Sequence, residues 1–171
     1  LGPRLKLKWP NDLICDGAKL AGILMEGEIS AGVAGGNDLA VVIGIGVNCA
    51  HHPTDTTYPA TDLAEAGALV MPEHLFSVLS RTMVTRLDEW DRGNGFAGIR
   101  AAWLARAAGI GEPIKVALME GMSEGKFETV DEDGRLVLRV ADGQIQLVAA
   151  GDVFPIASMK QSGSAKGSRE G

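Results

Sequence analysis

The chain opens on alternation: Leu5, Leu7 and Trp9 are separated by Lys6 and Lys8, a period of two that predicts a strand with one buried face. Pro10 stops this run and holds Trp9 extended. Asn11 and Asp12 then fall at a turn or bulge, where short polar side chains bond their own backbone. Leu13 to Cys15 reads as a short strand, Asp16-Gly17 as a hairpin turn, and Lys19 to Ile29 as the returning strand. On this reading Asn11, Asp12 and Lys19 meet in space. A glycine-rich loop, Ala34-Gly35-Gly36-Asn37-Asp38, leads into Leu39 to Asn48, an apolar run suited to a central strand.

Two glycines interrupt that run. Glycine weakens a strand and is kept mainly at bends or where a ligand or second backbone approaches closely. In Gly44-Ile45-Gly46-Val47-Asn48 both glycines point to one face, leaving a bare shelf with Asn48 at its end. A flat ligand and a tightly packed helix explain such a shelf equally well.

Further on, 51–61 is a polar loop containing His51, His52, Asp55 and two prolines. Adjacent side chains diverge and no third strong ligand is spaced to help, so the loop reads as solvated rather than metal-binding. Asp62 to Glu65 forms a helical turn. From Pro72, the residues Leu75, Leu79, Met83, Leu87 and Trp90 recur at helical spacing, predicting a core-facing scaffold helix. Phe96, Ile99 and Trp103 give a second helix, ended by Ala108-Gly109. Beyond Gly111 the texture changes to short alternating runs with turn signals at Asp133-Gly134 and Asp142-Gly143, which suggests a small antiparallel barrel. The fold class is therefore α+β, with a domain of residues 1–110, a barrel at 111–157 and a disordered polar tail at 158–171.

Composition narrows the function. The 171 residues are 46% apolar and 22% charged, enough for an ordinary core. A net charge of −6 argues against nucleic acid or an anionic membrane as partner of this segment. No run of about 18 apolar residues and no signal-peptide pattern is present, so the expected address is cytoplasmic. Cys15 and Cys49 lie in apolar, strand-like contexts and read as packing rather than as a disulfide. The opening leucine, already close to a strand, reads as the start of a piece of something longer.

The first cluster carries the chemistry. An enzyme that activates a carboxylic acid with ATP must hold two anions together and stabilise extra charge at phosphorus as pyrophosphate leaves. An ammonium group on a flexible stem can do this, which nominates Lys19. Asp12 suits Mg²⁺, which takes one or two protein carboxylates and completes its shell with phosphate oxygens. Asn11 and Asn48 offer paired donors and acceptors to a purine edge or a metal-bound water, or else cap backbone.

The segments Lys8-Trp9-Pro10-Asn11-Asp12, Lys19-Leu20-Ala21-Gly22-Ile23-Leu24 and Gly44-Ile45-Gly46-Val47-Asn48, in this order and followed by a scaffold helix and a small barrel, resemble the catalytic centre and C-terminal domain of biotin protein ligases from about Leu5 to Ile156. The resemblance implies part of a class II synthetase-like mixed sheet with packed helices, then an SH3-like β-barrel. It implies Lys19 and Asp12 as catalytic residues. Gly22, Ile23, Gly44 and Gly46 would line the biotin pocket, Asn11 and Asn48 would serve ATP, and Asp12 with Asn48 would hold the metal. The implied activity joins biotin to ATP, forming biotinyl-5'-AMP, and passes biotin to a lysine of a biotin carboxyl carrier domain. ATP, Mg²⁺ and biotin are the implied cofactors and substrate, and a homodimer is left open.

The family also carries, upstream of these motifs, a glycine- and arginine-rich loop of the pattern GRGRxGR, and no segment here matches it. The chain is accordingly expected to hold the later half of the enzyme, with the acceptor and any N-terminal DNA-binding domain unspecified. Two alternatives stand beside this reading: a lipoate ligase-like enzyme, and a non-catalytic remnant that folds or pairs with another chain.

Overall fold

A computed structural model describes residues 1–31, 37–56 and 58–156. The chain forms two compact units, one of Leu1–Lys6 with Asn11–Val78, the other of Leu7–Pro10 with the residues from Leu79 on.

Strands β1 (Leu5–Lys8), β2 (Asp12–Cys15), β3 (Ala18–Ala31) and β4 (Asn37–Val47) lie in that order in one sheet, β2 to β4 within the first unit. The Asp16-Gly17 hairpin forms as expected, with Asp16 and Gly17 both at positive φ, and β2 and β3 run antiparallel. β3 and β4 pair antiparallel from Ala21↔Val47 to Ala31↔Asn37. Both strands extend beyond the alternation read from sequence, and most of the glycine-rich loop between them lies outside the described residues. The core of this unit is Cys15, Leu20, Leu63 and Ala66, flanked by Leu5, Leu13 and Val47 among others. Cys15 and Cys49 are free thiols serving this packing.

β4 departs from the central strand its apolar run suggests. It stands last in the sheet order, and Val42 is 66% exposed. A continuous apolar run records a demand for burial on both faces, but among the described residues nothing covers its outer half.

Helix α1 (Pro72–Trp90) begins at Pro72 as predicted. Its expected core stripe is only partly covered: Leu75, Leu79 and Met83 are half-buried, whereas Leu87 and Trp90 are exposed. Helical spacing defines a stripe; it does not supply a partner along the whole length.

In the second unit, α2 (Phe96–Leu104) precedes strands β5 (Pro113–Leu118), β6 (Gly121–Val130), β7 (Leu136–Val140), β8 (Ile145–Val148) and β9 (Asp152–Pro155). Their order is β8-β7-β6-β5-β9, with every pairing antiparallel. Gly134 and Gly143 take positive φ at the two predicted hairpin turns, the conformation that favours glycine there. Inward residues Ile114, Val116, Phe127, Leu136 and Leu138 form the core, with Trp9, Trp103 and Leu104 packed on it. Trp9 donates its indole N–H to the Gly134 carbonyl at 3.2 Å. The tail 158–171 lies outside the described residues, and no helix of the described chain is long and apolar enough to cross a membrane.

Candidate active site

The β2–β3 register runs Asp12↔Gly22, Leu13↔Ala21, then Ile14↔Lys19, so Leu20 is an extra residue in β3, a β-bulge. In an unbroken strand Lys19 and Gly22 would face opposite sides. The bulge turns Leu20 and Ala21 both inward, at 1% and 6% exposure, and brings Lys19 round to the face of Gly22. A Cβ at Gly22 would sit 3.3 Å from Lys19 Cε, 3.4 Å from its Nζ and 3.5 Å from Asp12 Oδ1. The lysine head therefore lies across the bare backbone of Gly22, where its Nζ pairs with Asp12 Oδ1 at 2.6 Å.

The register continues into β4. Gly22 pairs with Gly46, and Leu24 with Gly44. Cross-strand partners share a face, so Asp12, Gly22 and Gly46 form one row with a carboxylate at one end and two glycines beyond it. A Cβ at Gly46 would meet no atom within 4 Å. No helix packs there among the described residues, which leaves the shelf open beside the Lys19–Asp12 pair.

Asn11 reaches the same place from its turn. Its backbone carbonyl accepts the Ile23 N–H at 2.9 Å, and its side-chain amide donates to the Ile23 carbonyl. This double clamp fixes the turn that presents Asp12. Strand alternation puts the Ile23 side chain with Ile45 on the face opposite Gly22 and Gly46, away from the wall it was expected to line. The Ile23 backbone holds the Asn11 turn.

Asn48 acts one step back. Its amide donates to the carbonyls of Thr61, at 2.9 Å, and Lys19, at 3.4 Å. The Thr61 N–H also donates to the Lys19 carbonyl, and the Lys19 N–H to that of Pro59. Lys19 is thus held on both sides of its backbone by the segment that follows the 51–58 loop. Residues of 52–60, among them His52, Tyr58 and Ala60, line an open hollow of about 460 Å³. Ala60 bridges to Lys19, placing the hollow next to the lysine strand.

A second polar cluster escapes the sequence reading. His52 Nδ1 lies 2.8 Å from Asp62 Oδ2 and 3.7 Å from Glu65 Oε2. Asp62 is buried; hydrogen bonds from the Glu65 N–H and then from His52 hold its carboxyl below the usual range. A signal for it exists in the chain: Asp62-Leu63-Ala64-Glu65 has the spacing of a helix-capping box, and Asp62 Oδ1 accepts the Glu65 N–H at 2.8 Å. The carboxylate partners of His52 come from this turn and not from the loop's own Asp55.

Comparison with known proteins fits this geometry. Residues 2–48 match the Biotin/lipoate A/B protein ligase family, and residues 109–154 match the Biotin protein ligase C terminal domain. A biotin--[acetyl-CoA-carboxylase] ligase of Paracoccus denitrificans is 41% identical over 160 residues, 88% of this chain and 63% of that protein. One of Mycobacterium tuberculosis is 36% identical over 86% of this chain and 52% of its own length. The chain is similar to biotin protein ligases in both of its matched segments. A biotin protein ligase of Aquifex aeolicus, solved in complex with biotin and ATP, superposes with a TM-score of 0.67 at 27% identity, covering 88% of this chain and 61% of that one. The chain thus spans from about half to under two thirds of the length of these relatives.

Proposed function

We propose that the chain carries the activation centre of a biotin protein ligase, which forms biotinyl-5'-AMP from biotin and ATP and transfers biotin to a lysine of a biotin carboxyl carrier domain. The observation that carries this reading is the row Asp12–Gly22–Gly46 with the Lys19 ammonium lying across it. It offers a side-chain-free shelf for a flat ligand beside one cation and one carboxylate.

Biotin lies on Gly22, Gly44 and Gly46 with its carboxylate toward Lys19. The ammonium leaves Asp12 to hold that carboxylate against the α-phosphate of ATP, and a carboxylate oxygen attacks the phosphorus as pyrophosphate departs. Lys19 stabilises the charge that builds there, as a fixed donor. The amine of the acceptor lysine then attacks the acyl carbon, and AMP leaves with the bonding electrons. Asn11 sets the Asp12 turn through Ile23, and Asn48 sets the Lys19 backbone. The nucleotide occupies the hollow of the 52–60 loop.

The donor set suits Mg²⁺: Asp12 supplies a hard carboxylate oxygen, and Asn48, whose N–H groups are directed at backbone carbonyls, has an amide oxygen of the same kind. When bound, the ion offsets phosphate charge. Residues 1–110 make up the catalytic part and 111–157 an SH3-like C-terminal domain. The expected setting is cytoplasmic. Pairing with a second copy is part of the proposal, supported by exposed Val41, Ile43 and Ile45 on the last strand of the sheet.

A lipoate ligase would share the first match, 2–48, whereas the match at 109–154 is to a biotin ligase domain. Mass spectrometry of a reaction with ATP, Mg²⁺ and equal biotin and lipoate separates the two. Biotinyl-AMP as the dominant adenylate supports the proposal, and lipoyl-AMP as the dominant one overturns it.

A further inference from the structure

We propose that His52, Asp62 and Glu65 form a second metal site, distinct from the Asp12 centre, which takes a transition-metal dication such as zinc and fastens the 52–60 loop to the turn at 62–66.

One imidazole and two carboxylates here place a ligand atom each within 4.8 Å of one another, all inside the first unit. Tetrahedral zinc, with bonds of about 2.0–2.2 Å, sets its ligand atoms roughly 3.4 Å apart. His52 Nδ1 and Glu65 Oε2 stand at 3.7 Å, close to that spacing, while His52 Nδ1 and Asp62 Oδ2 must open from 2.8 Å. The ion thereby replaces the proton that the imidazole and the carboxylate now share.

The carboxylates are held for this role. Asp62 Oδ1 is fixed by the Glu65 N–H, which leaves Oδ2 directed at the histidine. Glu65 is the exposed member, and the Thr61 hydroxyl donates to its Oε2 at 2.9 Å, the kind of outer contact that orients a metal-binding carboxylate. The Glu65 side chain is exposed, so water can supply the fourth position. The imidazole selects the metal: it suits zinc and its neighbours, whereas Mg²⁺ keeps to oxygen ligands and waters. The two cation sites therefore differ in the metal they take.

The consequence is mechanical. Thr61 and Pro59, which hold the Lys19 backbone, lie between His52 and the 62–66 turn in sequence. Zinc at this site would close a loop around them.

Calorimetric titration of the 171-residue chain with zinc chloride in excess Mg²⁺ tests the site, in wild type, His51→Gln, His52→Gln and Glu65→Gln, each checked for folding by circular dichroism. We expect one zinc in wild type and His51→Gln, and an affinity at least about tenfold weaker in His52→Gln and Glu65→Gln. Cobalt in place of zinc should give visible bands without thiolate charge transfer, which separates this site from Cys15 and Cys49. Zinc should also slow proteolysis within 52–60. Absence of zinc binding in wild type would show a hydrogen-bonded latch and overturn the proposal. Equal affinity in both site variants, or cobalt bound through thiolate, would overturn it too. Should His52→Gln fail to fold, Glu65→Gln, altering an exposed side chain, decides the matter.

Discussion

Lys19 and Gly22 present to the same face of β3 although they stand at positions that an unbroken strand would turn to opposite faces. The extra residue Leu20 makes the difference, and burial makes the bulge favourable: Leu20 and Ala21 both turn into the core, so the removal of their apolar surface from water is the same event that re-aims the lysine. The motif Lys19-Leu20-Ala21-Gly22 therefore encodes a shape as well as a set of groups.

Gly22→Ala tests that shape. The new Cβ would meet the far end of the flexible lysine at 3.3 Å, so the fold gives way cheaply while the Lys19–Asp12 geometry shifts. Thermal unfolding should change little. Adenylation, followed by biotin-dependent pyrophosphate exchange, should fall roughly tenfold to 10²-fold.

Gly46→Val separates a ligand shelf from a packing contact. With no atom within 4 Å of a Cβ there, and a β-branched residue favoured in a strand, stability should hold or rise slightly. Biotin binding by calorimetry should disappear. Retained binding with a sharply lower unfolding temperature would assign the glycine to packing instead.

Asn48→Ala should act through Lys19. It removes the amide donors to the Thr61 and Lys19 carbonyls and should cost about 1 kcal/mol, read from the urea midpoint. Asn48→Asp, which keeps an oxygen and loses the donors, should be no better in stability. If Asn48→Asp restored stability, the backbone tie would not be what the residue supplies.

Acid should destabilise the fold in a defined window. Asp62, Glu128 and Asp131 all have carboxyls held below their ordinary values of 3.8, 4.5 and 3.8. For Glu128 the cause is Arg139. For Asp131, burial pushes upward but is outweighed by the Arg135 N–H and guanidinium and by the Asp133 N–H. Groups depressed in the folded state stabilise it above the unfolded values, and that contribution is lost as pH falls through the folded ones. The unfolding temperature should stay level down to about pH 5 and drop below it. Asp131→Asn should flatten the acid limb, and an unchanged limb would remove Asp131 from the account.

Much of this is legible in the chain. The alternation around Leu5 and Leu7, the Asp16-Gly17 hairpin, the start of α1 at Pro72 and the turns at Gly134 and Gly143 depend on local chemistry, which a sequence displays. The nearness of Asp12 and Lys19 follows from one short hairpin. What escapes depends on register and on partners. The Leu20 bulge leaves no compositional mark, so the shared face of Lys19 and Gly22 cannot be foreseen. The exposure of Val42, Leu87 and Trp90 shows that an apolar pattern states a need for cover without saying what meets it. His52 reads in sequence against its loop neighbours, while its partners Asp62 and Glu65 belong to the next turn.

The most direct test is intact-mass analysis of a biotin carboxyl carrier domain incubated with the protein, ATP, Mg²⁺ and biotin, beside Lys19→Ala and a parallel reaction with lipoate. The account predicts a mass gain of one biotin on the acceptor, none with lipoate, and a rate lowered about 10²- to 10³-fold in Lys19→Ala. An acceptor modified as fast by Lys19→Ala as by wild type, or modified by lipoate in preference to biotin, would contradict it.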